Sequence, residues 1–406
     1  KVITESHELK KMGIIYPKPK IELNTISNWK NNVINKLENG IVKMAKARGV
    51  TIATGIATIV SDNKIRLNDK EILFENLVIA TGSSAISLPI IKSNDKRILN
   101  SKSALELKEI PKNLLVIGGG YIGLELGSVF NALGSQVSIV EYMNQILPGT
   151  DAEIVTPLFR SLSKNFEKIF LNTKVVSIDE NNKELNIQFE NETDTFKESY
   201  SHILVSVGRK PNTQNIGLEN VNIKTDNDFI IVDEFQKTSI PTIYAIGDVT
   251  GNPMLAHKAT AQGKIAAEVI AGESSAFDAK VIPCVIFTDP EIAWAGITEE
   301  DAKKRNLDFS KSVFPWAANG KSLSMGRIEG KTKLIFDNKT KKIIGGAIVG
   351  PNAGNLISEI CLAIEMGADS EDLSLTIHPH PTTSESIFNA AEMFEGTITD
   401  LYIPKK

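Results

Sequence analysis

The chain has 406 residues, 42% hydrophobic and 23% charged, enough for two or three domains with large cores. Lys and Arg number 45 against 49 Asp and Glu, and a net charge of −4 counts against a nucleic-acid surface. No apolar run is long enough to predict a membrane span, no signal peptide opens the chain, and two cysteines exclude a disulfide scaffold. The expectation is a soluble, cytoplasmic, multi-domain protein. The sequence opens on Lys1 within a polar helical pattern.

In chain order, residues 1–12 and 28–48 read as helices, the second from Ile34, Leu37, Ile41 and Met44 at helical spacing. Three short strands are predicted at 50–60, 64–67 and 71–74, separated by turn residues. An apolar strand, 77–80, then ends in Thr81-Gly82-Ser83. A fuller copy of this plan follows. It has strand 113–117, a glycine loop, helix 121–133, strand 136–140 and a helix around 151–166. Three more short strands lie at 174–178, 184–190 and 195–199, and strand 203–207 ends in Gly208-Arg209. Counted back from Gly82 by the separation of Gly118 and Gly208, the matching loop of the first copy falls ahead of Lys1. After Pro241, strand 242–246 runs into Gly247-Asp248 and a helix near 257–271. Residues beyond 281 read as a separate α+β unit, with strands near 281–287, 332–336 and 343–349 and helices near 298–305, 353–366 and 384–394.

Three constellations carry chemistry. Gly118-x-Gly120-x-x-Gly123 lies between a strand and a helix. There glycines permit a sharp turn, close approach of backbone amides to a pyrophosphate, and tight helix packing. Glu141 ends the next strand, where a carboxylate accepts from both ribose hydroxyls and repels a 2′-phosphate; a plain surface glutamate is the alternative. Gly247-Asp248 is a weak signal alone, since Asp commonly caps helices. With Thr81-Gly82 ending another strand, it supports a second dinucleotide site. In His378-Pro379-His380-Pro381-Thr382-Thr383-Ser384-Glu385, Thr383 or Ser384 is expected to cap the next helix and Glu385 to hydrogen-bond His380, raising its basicity. A purely structural histidine and a metal pair, His378 with His380, are the alternatives, the latter lacking an evident third ligand.

The segments Val116–Glu125, Ala80–Ser83, Val207–Asn212, Tyr244–Asp248 and Met254–Lys258 stand in one order. In them the chain resembles, along its whole length, the class I FAD- and NAD-dependent disulfide oxidoreductases, and among these the branch that oxidises dihydrolipoamide. The resemblance implies an α/β protein of two Rossmann-like dinucleotide-binding domains with β-meanders, plus a C-terminal α+β dimerisation domain. It implies FAD binding by residues 1–108 with 238–278, NAD binding by 109–237, and dimerisation by 279–406. Thr81, Gly82, Ser83, Asp248, Met254, Leu255, Ala256 and His257 are then expected at FAD. Gly118, Gly119, Gly120, Tyr121, Ile122, Gly123, Leu124, Glu125, Glu141, Val175, Gly208 and Arg209 are expected at NAD. Glu125 would lie near the flavin–nicotinamide junction, without the upstream lysine that pairs with it in the family.

By the same resemblance His380 is the base that accepts a thiol proton and Glu385 its partner; Pro379 replaces the usual alanine. The implied partners are a second subunit and dihydrolipoamide on lipoyl domains of 2-oxo acid dehydrogenase complexes. The family's Cys-x4-Cys pair is absent, since Cys284 and Cys361 are far apart in apolar segments and read as buried, inert thiols. The expectation is therefore a chain lacking an N-terminal portion. Three alternatives remain at this level. A glutathione-reductase-like enzyme should carry basic residues where Glu141 stands. A mercuric-reductase-like enzyme should lack the His380–Glu385 pair. The third is a non-catalytic dinucleotide-binding, dimerising fragment.

Overall fold

The computed structural model describes residues 2–106, 108–402 and 404. At its centre is a five-stranded parallel sheet in the order Ile98–Asn100, His202–Val205, Asn113–Ile117, Gln136–Val140, Lys168–Phe170. Leu114, Leu115 and Val116 are fully buried, as a strand covered on both faces requires. Helix Tyr121–Leu133 covers one face through Leu124 and Phe130. The other face meets an antiparallel meander of Lys174–Glu180, Leu185–Glu190 and Thr195–Tyr200. Its alternation is regular: Leu185, Ile187 and Phe189 are buried, while the residues between face outward. Phe170, Phe189 and Phe196 form an aromatic cluster with ring centroids 5.1–5.4 Å apart.

The first copy repeats the meander in Ala57–Ser61, Lys64–Leu67 and Lys70–Leu73. Strand Leu77–Ile79 pairs in parallel with Ile243–Ala245, so the segment after Pro241 does complete this unit. Two expectations change. Residues 50–56 form no strand; the meander begins at Ala57, where Ile59 first finds a core. The second helix runs from Leu23 to Ala47, yet none of its residues is buried. The Ile34, Leu37, Ile41 and Met44 spacing is helical, but that stripe is 43–66% exposed.

The C-terminal sheet is antiparallel in the order Cys284–Ile286, Glu291–Gly296, Ile343–Gly350, Lys331–Asp337, Phe309–Pro315. Helices Ala353–Met366 and Glu385–Glu395 pack on it through Ile357, Ile360, Ile387 and Ala390. The strands Glu291–Gly296, Phe309–Pro315 and Lys168–Phe170 were not anticipated, because their short mixed runs show no clean period.

The C-terminal sheet is joined to the central unit by a buried cation. The Lys333 side chain has no exposed surface, and its Nζ contacts Asp151 at 2.8 Å, Glu153 at 2.5 Å and Glu299 at 2.7 Å. Asp151 and Glu153 open the helix Ala152–Asn165 beside the central sheet, whereas Glu299 opens a helix of the C-terminal unit. Burial pushes the Glu299 carboxyl up, but Lys303, Lys311 and Lys333 outweigh it and hold the group well below the usual carboxylate range. That contribution to stability is complete above the ordinary carboxylate pKa and is lost as pH falls through the depressed value. Lys333→Met removes the one cation shared by Asp151, Glu153 and Glu299, while Lys311 keeps its contacts with Glu153 and Glu299. The expected loss is about 3–5 kcal/mol, measured by urea unfolding at neutral pH. A loss under about 1 kcal/mol would show that the cluster is solvated and not a junction.

Candidate cofactor and active site

Strand Asn113–Ile117 ends at Gly118, whose φ of +104° suits glycine. A Cβ there would lie 2.6 Å from the Ser206 carbonyl oxygen, and one on Gly123 would lie 2.5 Å from Ser206 Oγ. The loop is therefore pressed against the end of strand His202–Val205, and both positions are closed to side chains. Gly120 has open space where a Cβ would point, toward the start of helix Tyr121–Leu133. The Gly119 N–H donates to Glu141 Oε2 at 2.6 Å and the Met143 N–H donates to Oε1 at 2.8 Å. Glu141 is nearly buried and fixes the glycine loop while still bordering the cleft.

That cleft has a volume of about 1240 Å³. Of the residues expected at cofactors, Gly118, Gly120, Tyr121, Ile122, Glu125, Glu141, Val175, Gly208, Arg209, Met254 and Leu255 line it together. Gly119 and Gly123 lie behind this lining, in the packing that shapes it. Leu124 is fully buried in the central core, so its side chain faces away from any ligand.

The flavin-side residues converge where the two copies meet. Strand Ser83–Ala85 pairs with Arg209–Pro211. Ser83 Oγ donates to Asp248 at 2.5 Å, and Arg209 donates to Ser83 Oγ at 2.7 Å and to its carbonyl at 2.6 Å. Thr81 Oγ1 donates to the Asn212 carbonyl and Asn212 N–H donates to the Gly82 carbonyl, at 2.8 and 2.9 Å. Ala256 and His257 open the helix Ala256–Ile270, and His257 Nε2 meets the Pro283 carbonyl at 2.8 Å.

Several contributors escaped the sequence reading. Ser206 donates its hydroxyl to the Ile117 and Gly118 carbonyls. The Phe287 N–H donates to Glu125 Oε1 at 2.8 Å, while burial raises the Glu125 carboxyl. No motif marks either residue. Cys284, expected to be buried and inert, is half-buried and lines the cleft, and Cys361 is half-buried as well. Burial pushes both thiols up to about 11, and neither is in a disulfide.

His380 stands apart from this cleft lining. Its Nδ1 meets Glu385 Oε1 at 2.7 Å, and Glu385 Oε2 accepts the Thr382 N–H at 2.7 Å. The imidazole is 77% exposed and Glu385 is 13% exposed. The expected cap is corrected here: Ser384 makes no side-chain capping bond, and the Glu385 carboxylate reaching back to Thr382 holds the turn. His378 has both ring nitrogens on protein acceptors, Thr376 O and Glu359, which leaves no lone pair for a metal ion.

Residues 3–263 match the pyridine nucleotide-disulphide oxidoreductase model, and residues 282–391 match its dimerisation domain. The chain belongs to that family. The family's cofactors are FAD and NAD. A protein named dihydrolipoyl dehydrogenase from Buchnera aphidicola subsp. Schizaphis graminum is 48% identical over 100% of this chain and 87% of its own. One of the same name from Haemophilus influenzae is 45% identical over 99% of this chain and 85% of its own. Among solved structures, LpdA from Mycobacterium tuberculosis superposes with a TM-score of 0.87 at 27% identity, covering 97% of this chain and 87% of that one. The flavoprotein disulfide reductase RclA from Escherichia coli gives 0.83 at 27% identity, covering 96% and 88%. Among the described residues no helix is long and apolar enough to cross a membrane.

Because Glu141 ties the glycine loop through Oε2, holds Met143 through Oε1 and borders the cleft, Glu141→Gln should act twice. NADH affinity should fall about tenfold, through one lost charge-assisted hydrogen bond, and the preference for NADH over NADPH should narrow. Fluorescence titration with both nucleotides checks this; unchanged preference would remove Glu141 from the selectivity argument.

Proposed function

We propose that the chain serves as a dihydrolipoyl dehydrogenase, oxidising dihydrolipoyl groups and passing the electrons to NAD+. The observation that carries this reading is the His380–Glu385 pair, with Glu385 also bonded to the Thr382 N–H, in a chain whose cleft is lined by Glu141 beside the glycine loop. The sequence similarity to proteins of that name supports it. In this reading residues 1–108 with 238–278 hold FAD, 109–237 hold NAD, and 279–406 form a homodimer interface. Thiol substrates arrive on lipoyl domains of cytoplasmic 2-oxo acid dehydrogenase complexes.

The residues present fit NAD, and at FAD they fit the ribityl chain; the first copy carries no glycine loop among the 406 residues for the flavin pyrophosphate. Asp248, at the meeting point of Ser83 and Arg209, offers a carboxylate to flavin ribityl hydroxyls; Gly118, Gly120 and the following helix start offer amides to the NAD pyrophosphate. Held there, FAD would supply two-electron chemistry between a dithiol–disulfide couple and NAD+. The chain's own work is positional. The loop packed on Ser206 fixes the nucleotide, and Glu125, raised by burial and tied to Phe287, keeps an uncharged carboxyl within reach at higher pH than usual. His380 accepts a thiol proton on its exposed ring, while Glu385 fixes the Nδ1 proton and stabilises the imidazolium that forms. The cysteine pair of this chemistry is not among the 406 residues, and Cys284 and Cys361 do not substitute for it.

In the protein isolated from its native source, His380→Gln should lower dihydrolipoamide-dependent NAD+ reduction about 10²–10⁴-fold while leaving NADH–ferricyanide turnover unchanged. Equal loss of both activities would count against a base role. NADPH-dependent reduction of glutathione disulfide by the native protein would favour the glutathione-reductase-like alternative.

A further inference from the structure

His378 lies two residues before His380, and the motif alone assigns it nothing. Its side chain is only 5% exposed. Nδ1 meets the Thr376 carbonyl at 2.8 Å and Nε2 meets the Glu359 carboxylate at 2.7 Å. A carbonyl cannot donate, so Nδ1 donates to Thr376, and a proton on Nε2 would complete the bond to the Glu359 carboxylate. The ring packs on Phe388, centroids 5.2 Å apart. The charged groups facing it are Glu359, from helix Ala353–Met366, and Glu385, from the start of helix Glu385–Glu395. The Glu359 hydrogen bond, opposed by burial and aided by Thr376 and Glu385, raises the pKa of His378 above the ordinary histidine value.

The turn that carries His380 has further ties, among them Asn319 Nδ2 donating to the Thr382 carbonyl at 3.0 Å. Thr376 Oγ1 donates to the Asp372 carbonyl at 2.7 Å, Thr382 Oγ1 donates to the Pro379 carbonyl at 2.8 Å, and Glu385 accepts from Thr382. His380 itself is mostly exposed, so packing does not fix its ring. The ion pair between His378 and Glu359 ties this turn to helix Ala353–Met366.

We propose that His378 is a positioning residue for His380: a buried imidazolium, pinned by Glu359 and the Thr376 carbonyl, that fixes the turn on which Glu385 aligns the base. The proposal rests on His380 being the base. It concerns the order of the turn, which is measurable without turnover. Its pH sense follows from the pairing. The anchor is complete while His378 is protonated, and it weakens as pH rises through the elevated pKa. A neutral His378 would keep only one donor, so it must release either Thr376 or Glu359.

The test is nitrogen-15 magnetic resonance of the imidazoles in the folded chain, which has five histidines. His378 should show two protonated nitrogens at neutral pH. In Glu359→Gln, which keeps the shape and removes the charge, His378 should fall to one. Exchange of the His380 Nδ1 proton with water should then quicken about tenfold, as expected when a charge-assisted bond is lost. Glu359→Asp should recover most of the slow exchange, and His257, remote in sequence, should be unchanged. A neutral His378 in the unsubstituted chain at neutral pH would overturn the proposal. So would unchanged His380 exchange and titration in both Glu359→Gln and His378→Gln. If His378→Gln does not fold, Glu359→Gln, at a partly exposed position, decides alone. If His380→Gln left turnover intact in the native enzyme, the base assignment would fail without moving these resonances.

Discussion

The architecture turns on one close approach of backbone to backbone. The loop after Asn113–Ile117 lies so near the residue after His202–Val205 that Gly118 and Gly123 have no room for a Cβ. Ser206 fills the remaining space with its hydroxyl on the Ile117 and Gly118 carbonyls. That contact brings the carboxyl ends of adjacent parallel strands together, where a doubly wound sheet opens its ligand crevice. The cleft residues are arranged around it. Glu141 ties the loop from the next strand, and Gly208-Arg209 continues from Ser206 toward Ser83 and Asp248. The Ser83–Asp248 contact is thereby placed beside the glycine loop.

Polar groups in this cleft have two roles at once. Glu141 accepts two backbone N–H bonds before any ribose arrives, and Asp248 accepts from Ser83. Such prior bonds orient a carboxylate, so less ordering remains to be done on binding. Glu125 is the contrasting case. It is buried with one N–H donor from Phe287, and its carboxyl is accordingly shifted toward the neutral form.

Much of this was legible in the amino-acid order. Strands 113–117 and 136–140 and helices 121–133 and 353–366 carry long apolar runs or clean periodicity bounded by glycine, and the structure gives them those same bounds. The Gly118–Gly123 loop, Glu141 and the His380–Glu385 pair were readable because their chemistry needs fixed short spacings. The rest depended on contacts between distant segments. Nothing near Phe287 signals that its N–H holds Glu125, and Glu359 is one of two glutamates on its helix until His378 is seen against it. The cap near Ser384 was misassigned because spacing cannot show which side chain reaches back; Glu385 does so instead. The stripe Ile34, Leu37, Ile41, Met44 predicted a helix correctly and its burial wrongly, since periodicity specifies a face and not what covers it.

The central claim is that one cleft, shaped by the Gly118–Ser206 contact, holds NAD against FAD. The most direct measurement is anaerobic titration of the FAD-supplemented protein with NADH, following the visible flavin absorption. The account predicts that the flavin bleaches on NADH addition, and that Gly123→Val, which fills the contact with Ser206, abolishes bleaching at the same nucleotide concentration. Bleaching that survives Gly123→Val, or NADH that binds without reducing bound flavin, would contradict it.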